Sequence, residues 1–238
     1  MSLFLVGGPP SDKLSDVYAR FAEEAVMRSG QAGQPLRVAV AILSDGPQDV
    51  GAYTQYLPEG FEAEIVPVLL EGETVWPEPL ANISGIIVGG GPTGQYLQSL
   101  MPKRAELLAA VTRDIPYLGF SAGAMVTSKY ALVGGWQADG RQVCPESGAD
   151  GLESVTVEPG LALIGVTVET HCDTDCALGR AEHVARTGRS SSVVAIDEDT
   201  ALVVDAITGR ANVLGTGCVF WLSRHSDRVE IRAERAKR

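Results

Sequence analysis

Basic residues are scarce in this chain, with 19 Lys and Arg against 30 Asp and Glu and a formal net charge of −11. Partners that are gripped through clustered Lys and Arg, nucleic acid and anionic membrane surfaces, are therefore not expected. Long apolar runs are missing too, since no stretch approaches the ~20 residues a membrane-spanning helix needs. Cysteine is sparse: Cys144, Cys172, Cys176 and Cys218 fall short of a disulfide framework and read as free thiols. The opening MSLFLVGGPPSDK has an apolar run of only Leu3 to Val6 with no basic residue before it, the pattern of a first strand and not of an export signal. A cytoplasmic location is the expectation. Histidine is the scarcest chemical resource, with His171, His183 and His225 the whole supply.

What is present is enough for a core. The 238 residues are 45% hydrophobic, and a single domain over 1–238 is expected. Short apolar runs alternate with amphipathic segments through the first half, the pattern of a mostly parallel sheet with helices on both faces, a three-layer α/β fold. The strands are read at Leu3 to Gly7, Arg37 to Leu43, Glu62 to Val68, Ser84 to Val88 and Ile115 to Phe120. Pro67 points to an edge strand, because proline cannot donate to a sheet ladder. Helices are read at Ser15 to Arg28 with Ser15 as N-cap, around Asp49 to Tyr56, from Thr93, and at Arg104 to Thr112. In the second half Gly134 to Gly151 reads as loop, Val155 to Val157 and Ala162 to Val168 as β-like runs, and Asp175 to Arg186 as helix. Extra antiparallel strands follow at Ser192 to Ile196, Ala201 to Val204, Ala211 to Leu214 and Cys218 to Leu222, separated by DEDT, ITGR and GTG. The tail from Asp227 is either a last short element or frayed.

Gly119-Phe120-Ser121-Ala122-Gly123 matches G-x-S-x-G in the context that motif needs, with an apolar strand before it and the helix-forming AMVTSKYAL after it. Such a turn pushes the serine hydroxyl into the open, and small neighbours avoid collision. The helix start behind it offers the Ala122 N–H and a positive dipole end to a developing oxyanion. Gly89-Gly90-Gly91-Pro92-Thr93-Gly94 also follows a buried strand, at the sheet edge where open α/β sheets bind ligands, and can supply a second donor. It lacks the Lys and the spacing of phosphate-binding loops.

A serine nucleophile needs a base, usually a histidine oriented by an acid. His171 stands at a strand end before a helix, where catalytic groups are usually presented, whereas His183 and His225 sit in polar surroundings. Asp139, Glu146, Glu169 and Asp173 are the candidates for the acid, and the residues alone do not choose among them. The run Glu169-Thr-His-Cys-Asp-Thr-Asp-Cys176 also has metal-ligand residue types, yet no second cluster completes a four-ligand set, so no metal and no cofactor is expected.

Through IIVGGGPTGQYLQSL, YLGFSAGAMV, THCDTDCALGR, VVAIDEDTALVV and VLGTGCVFWL, the chain resembles the serine peptidases that include dipeptidase E and cyanophycinase, over most of its length. That resemblance implies a class I glutamine amidotransferase-like fold and hydrolysis of short peptides at aspartyl or β-aspartyl linkages. It implies Ser121 as nucleophile, His171 as base, Gly90, Gly91 and Ala122 around the oxyanion, and Asp139 as the acid at about the family spacing. Arg180, Thr93 and Glu169 are expected to contact substrate, and relatives suggest a homodimer. The sequence departs from the cyanophycinase pattern after His171, where Asp175 and Ala177 occupy places of arginines and only Arg180 falls in register. The rival readings are a non-catalytic ligand-binding or regulatory protein on the same fold, and a glutamine amidotransferase module. The second would carry Cys where Ser121 stands.

Overall fold

The computed structural model describes residues 1–44, 46–71, 76–77, 79–226 and 228–236. Its central sheet has seven strands in the order Ala211–Gly215, Thr200–Asp205, Ser2–Val6, Tyr117–Phe120, Gly85–Val88, Arg37–Ile42, Glu64–Leu69. The five strands from Ser2–Val6 onward run parallel. The other two are antiparallel additions at one side. The strand holding Pro67 is the outermost on the other side, as its missing N–H requires.

Side-chain alternation sends each strand's residues to two different cores. Phe4 and Val6, Val38 and Val40, and Ile87 pack with Val17, Tyr18 and Phe21 on one face. Leu3 and Leu5, Ala39 and Ala41, and Ile86 and Val88 pack with Leu97, Leu100, Leu107 and Val111 on the other. Burying each large apolar side chain in this way contributes about 1.5–3 kcal/mol before entropy is counted. The helix Ser15–Ala32 covers the first face; the helices Thr93–Leu100 and Arg104–Thr112 cover the second. Ser15 is the first helical residue and not the cap: Leu14 occupies the cap position, and Gly33, at φ 60°, ends the helix in the left-handed conformation that glycine adopts without strain.

A second sheet orders Thr167–Glu169, Ser192–Ile196, Cys218–His225 and Arg228–Arg235. Its first pair is parallel and the rest antiparallel. The four antiparallel strands expected in the second half thus divide between these two sheets, and the tail forms a strand. Ala162 to Val168 is strand only from Thr167, and Gly134 to Gly151 contains a small hairpin, Gln137–Ala138 with Arg141–Gln142. The helix behind Ser121 is a single turn, Ala122–Met125, after which the chain turns into the strand Tyr130–Gly134. The helix Leu178–Thr187 packs Ala181, Val184 and Ala185 on the second sheet.

No helix among the described residues is long and apolar enough to cross a membrane.

Candidate active site

Three neighbouring parallel strands end at one edge of the central sheet, and their loops carry Gly7-Gly8-Pro9-Pro10, Ser121 and Gly89-Gly90-Gly91. Ser121 has φ 49° and ψ −113°, a strained conformation for a residue with a side chain. The strain is imposed by packing. A Cβ on Gly119 would lie 2.4 Å from the Gly123 carbonyl oxygen, and one on Gly123 would lie 2.4 Å from that of Val88. Only glycine lets the strand, the elbow and the neighbouring strand approach so closely. The Gly123 carbonyl is further held by the buried Tyr117 hydroxyl at 2.6 Å.

The second sheet brings the partners. Thr167–Glu169 and Ser192–Ile196 lie side by side in parallel, with Glu169 opposite Ala195, so the segments that follow them leave the sheet at the same edge. The first segment carries His171 and the second Glu198, in the turn where the chain passes into Thr200–Asp205 of the central sheet. The His171 N–H donates to the Gly7 carbonyl at 2.7 Å, which ties the two sheets together beside Ser121.

The result is a relay: Ser121 Oγ is 2.7 Å from His171 Nε2, and His171 Nδ1 is 2.7 Å from Glu198 Oε1. A carboxylate against Nδ1 keeps the ring proton there and leaves the Nε2 lone pair free to accept from the serine hydroxyl. Thr174 Oγ1 donates to the same Glu198 oxygen at 3.0 Å, and the Glu198 N–H donates to Asp173 Oδ1 at 2.9 Å.

The group on His171 is thus Glu198, not the expected Asp139. Asp139 lies in the hairpin turn against the helix Leu178–Thr187, where Arg186 Nη2 donates to it at 2.7 Å and its side chain is 63% exposed. That hydrogen bond, with the charges of Arg186, His183 and Arg141, holds its carboxyl below the usual carboxylate range. Of the other candidates, Asp173 caps the Glu198 backbone, Glu146 is exposed in the turn Glu146–Gly148, and Glu169 is fully buried on Arg180. Glu198 belongs to the DEDT stretch, which in sequence signals only a turn. The overlooked clue is that this turn follows a strand alongside the one leading to His171.

Around the relay lies a cavity of about 480 Å³ lined by Ser121, His171, Gly90, Gly91, Thr93 and Arg180 among others. The Gly90 N–H is already donated to Tyr53 Oη at 2.9 Å, and the Gly90 carbonyl accepts from Tyr96 Oη at 3.1 Å. Gly90 therefore positions the loop, and the backbone N–H groups of Gly91 and Ala122 remain unpaired among the described residues. A one-turn helix has little macrodipole, so the N–H groups themselves are the useful donors here. Thr93 is buried against Met125, and its backbone N–H donates to Asp150 Oδ2 at 2.9 Å. Tyr53 and Asp150, both on the cavity wall, belong to no motif in the sequence.

Arg180 lines the cavity but is not a free cation: Nε and Nη2 bind both oxygens of Glu169 at 2.6 and 2.9 Å. Nor do the metal-like residues of the 169–176 segment converge. Cys172 packs in an apolar cluster where burial pushes its thiol up to about 12, Cys176 is exposed, and no group of three metal-capable side chains occurs among the described residues.

Comparison with known proteins gives the family. The model of peptidase family S51 matches residues 52–210, a span that takes in Ser121, His171 and Glu198. The chain belongs to peptidase family S51. As an S51 member it is a serine-type peptidase, and the amidotransferase rival falls away. The fold agrees with the crystal structure of a peptidase from an acI-B1 Actinobacterium, at TM-score 0.62 and 19% identity, covering 98% of this chain and 96% of that one. No curated protein matches the chain.

Proposed function

We propose that this S51 peptidase cleaves short peptides through an acyl-enzyme formed on Ser121. The observation that carries the reading is the continuous Ser121, His171, Glu198 relay, with both links at 2.7 Å, opening into a cavity at the sheet edge. His171 Nε2 takes the Ser121 proton as Oγ attacks the carbonyl carbon, while Glu198 steadies the imidazolium that forms. The carbonyl oxygen, now negative, is received by the Gly91 and Ala122 N–H groups. His171 then returns the proton to the leaving amine. Water, deprotonated by the same nitrogen, releases the acyl group and restores the serine.

Aspartyl and β-aspartyl linkages, implied by the resemblance to dipeptidase E and cyanophycinase, are the first substrates to assay. Hydrolysis of Asp-X and β-aspartyl dipeptides is expected with the native chain and a loss of roughly 10⁶-fold in kcat with Ser121→Ala, which keeps the fold. Retained turnover in a clean Ser121→Ala preparation overturns the mechanism. Turnover of neutral dipeptides alone overturns the specificity and leaves the mechanism standing.

A further inference from the structure

Among the described residues, Arg180 and Glu169 form the one ion pair whose two side chains are both almost wholly buried, at 5% and 0% exposure. The serine mechanism uses neither. Four of the five N–H donors of a guanidinium are engaged: two on Glu169, and Nη1 on the carbonyl oxygens of Gly148 at 2.6 Å and Gly135 at 3.3 Å. These contacts join three separate segments of the chain. Glu169 ends the strand that leads into His171, Arg180 sits in the first turn of the helix Leu178–Thr187, and Gly135 and Gly148 lie near the two ends of the 134–150 segment. That segment supplies one wall of the cavity through Gly134, Ser147, Gly148 and Asp150. Glu169 is tied in turn to the His171 loop, its Oε1 accepting the Thr170 N–H at 3.0 Å.

We propose that Arg180 is a positioning residue, a neutralised clamp that fixes the 134–150 wall of the cleft relative to the His171 loop, and that it does not serve as a receptor for a substrate carboxylate. The inference rests on the reading of Ser121 and His171 given above. A guanidinium already bidentate on a buried carboxylate has little charge left to offer, whereas carbonyls at both ends of a long segment are what a clamp would hold. Lysine keeps the charge but cannot reproduce the planar fork.

The test compares the native chain, Arg180→Lys, and the double variant Glu169→Met with Arg180→Met, which removes both buried charges together and guards against misfolding. Hydrogen exchange over residues 134–150 and the His171 loop is measured alongside inactivation by an alkyl fluorophosphonate and by aspartyl and asparaginyl diphenyl phosphonates. Expected in both variants are faster exchange across 134–150, fluorophosphonate labelling within about twofold of native, and KI for both aminoacyl probes raised by about 10- to 100-fold, as for misplaced binding groups. Unchanged exchange across 134–150 overturns the clamp. So does a KI that rises for the aspartyl probe alone, which would make Arg180 the carboxylate receptor. Failure of the native chain to label with the fluorophosphonate would instead sink the serine mechanism, a distinguishable result.

Discussion

Glu198 and Asp139 each face a histidine, but only one of them is placed to govern a proton. Glu198 meets Nδ1 of the imidazole whose other nitrogen touches Ser121, while Asp139 is bound to an exposed arginine on the helix Leu178–Thr187. Glu198→Gln is expected to lower kcat by roughly 10²–10⁴-fold by allowing the wrong imidazole tautomer. Asp139→Asn should leave kcat within about twofold, since an exposed ion pair contributes little. Steady-state kinetics on both variants checks this; comparable losses would mean that Asp139 acts on the site from its surface position. The contrast also marks what the sequence could reveal at this scale. Ser121 was legible because its motif is local, a strained elbow whose glycines are dictated by contacts within a few residues and the adjoining strand. Glu198 was not, because its partner lies 27 residues earlier and the two meet only through the parallel pairing of their strands.

The turn that carries Glu198 is itself anchored. Asp199 accepts hydrogen bonds from Ser11 Oγ and Lys13 Nζ, both at 2.6 Å, which fasten the 197–199 turn to the segment after the first strand. Burial pushes the Asp199 carboxyl up, but those two hydrogen bonds and the Lys13 charge bring it below its ordinary value. A carboxyl lowered on folding stabilises the fold above its unfolded value, near pH 4, and loses that contribution as pH falls through the folded value. The Tm of Asp199→Asn is therefore expected below native at pH 7, with the gap closing toward pH 3. A gap that stays constant with pH would contradict the anchor. Among the elements, the central parallel strands were readable because each is a short, largely apolar run. The second half was harder. Its short strands look alike in sequence while their hydrogen-bonding partners lie in different sheets, and AMVTSKYAL gave only one helical turn because its end is drawn into a strand, with Ala131 and Val133 buried in the core under the helices Thr93–Leu100 and Arg104–Thr112 and Leu132 buried against the second sheet.

On the scale of the whole molecule, charge decides how substrates arrive. The chain carries −11 overall, and the cavity wall adds Asp150, Asp175 and Glu198 around an Arg180 that Glu169 already neutralises. A cleft lined by one sign of charge raises the local concentration of the opposite sign and repels its own, an effect that salt screens over ~10 Å at 0.1 M. Raising ionic strength should lower kcat/KM for cationic peptides and raise it for acidic ones of the same length. The reverse ordering would require a basic approach path. Net charge was visible in the composition, but that the cavity shares its sign depends on pairing Arg180 with Glu169, which no spacing rule reveals.

The most direct test of the Ser121, His171, Glu198 relay is intact-mass measurement after fluorophosphonate treatment of the native chain, Ser121→Ala and His171→Ala. One adduct per native chain is the prediction, with none on Ser121→Ala and labelling slowed by at least about 10²-fold on His171→Ala, the lower end of what a positioned base contributes. An unlabelled native chain, or an adduct that persists on Ser121→Ala, would contradict it.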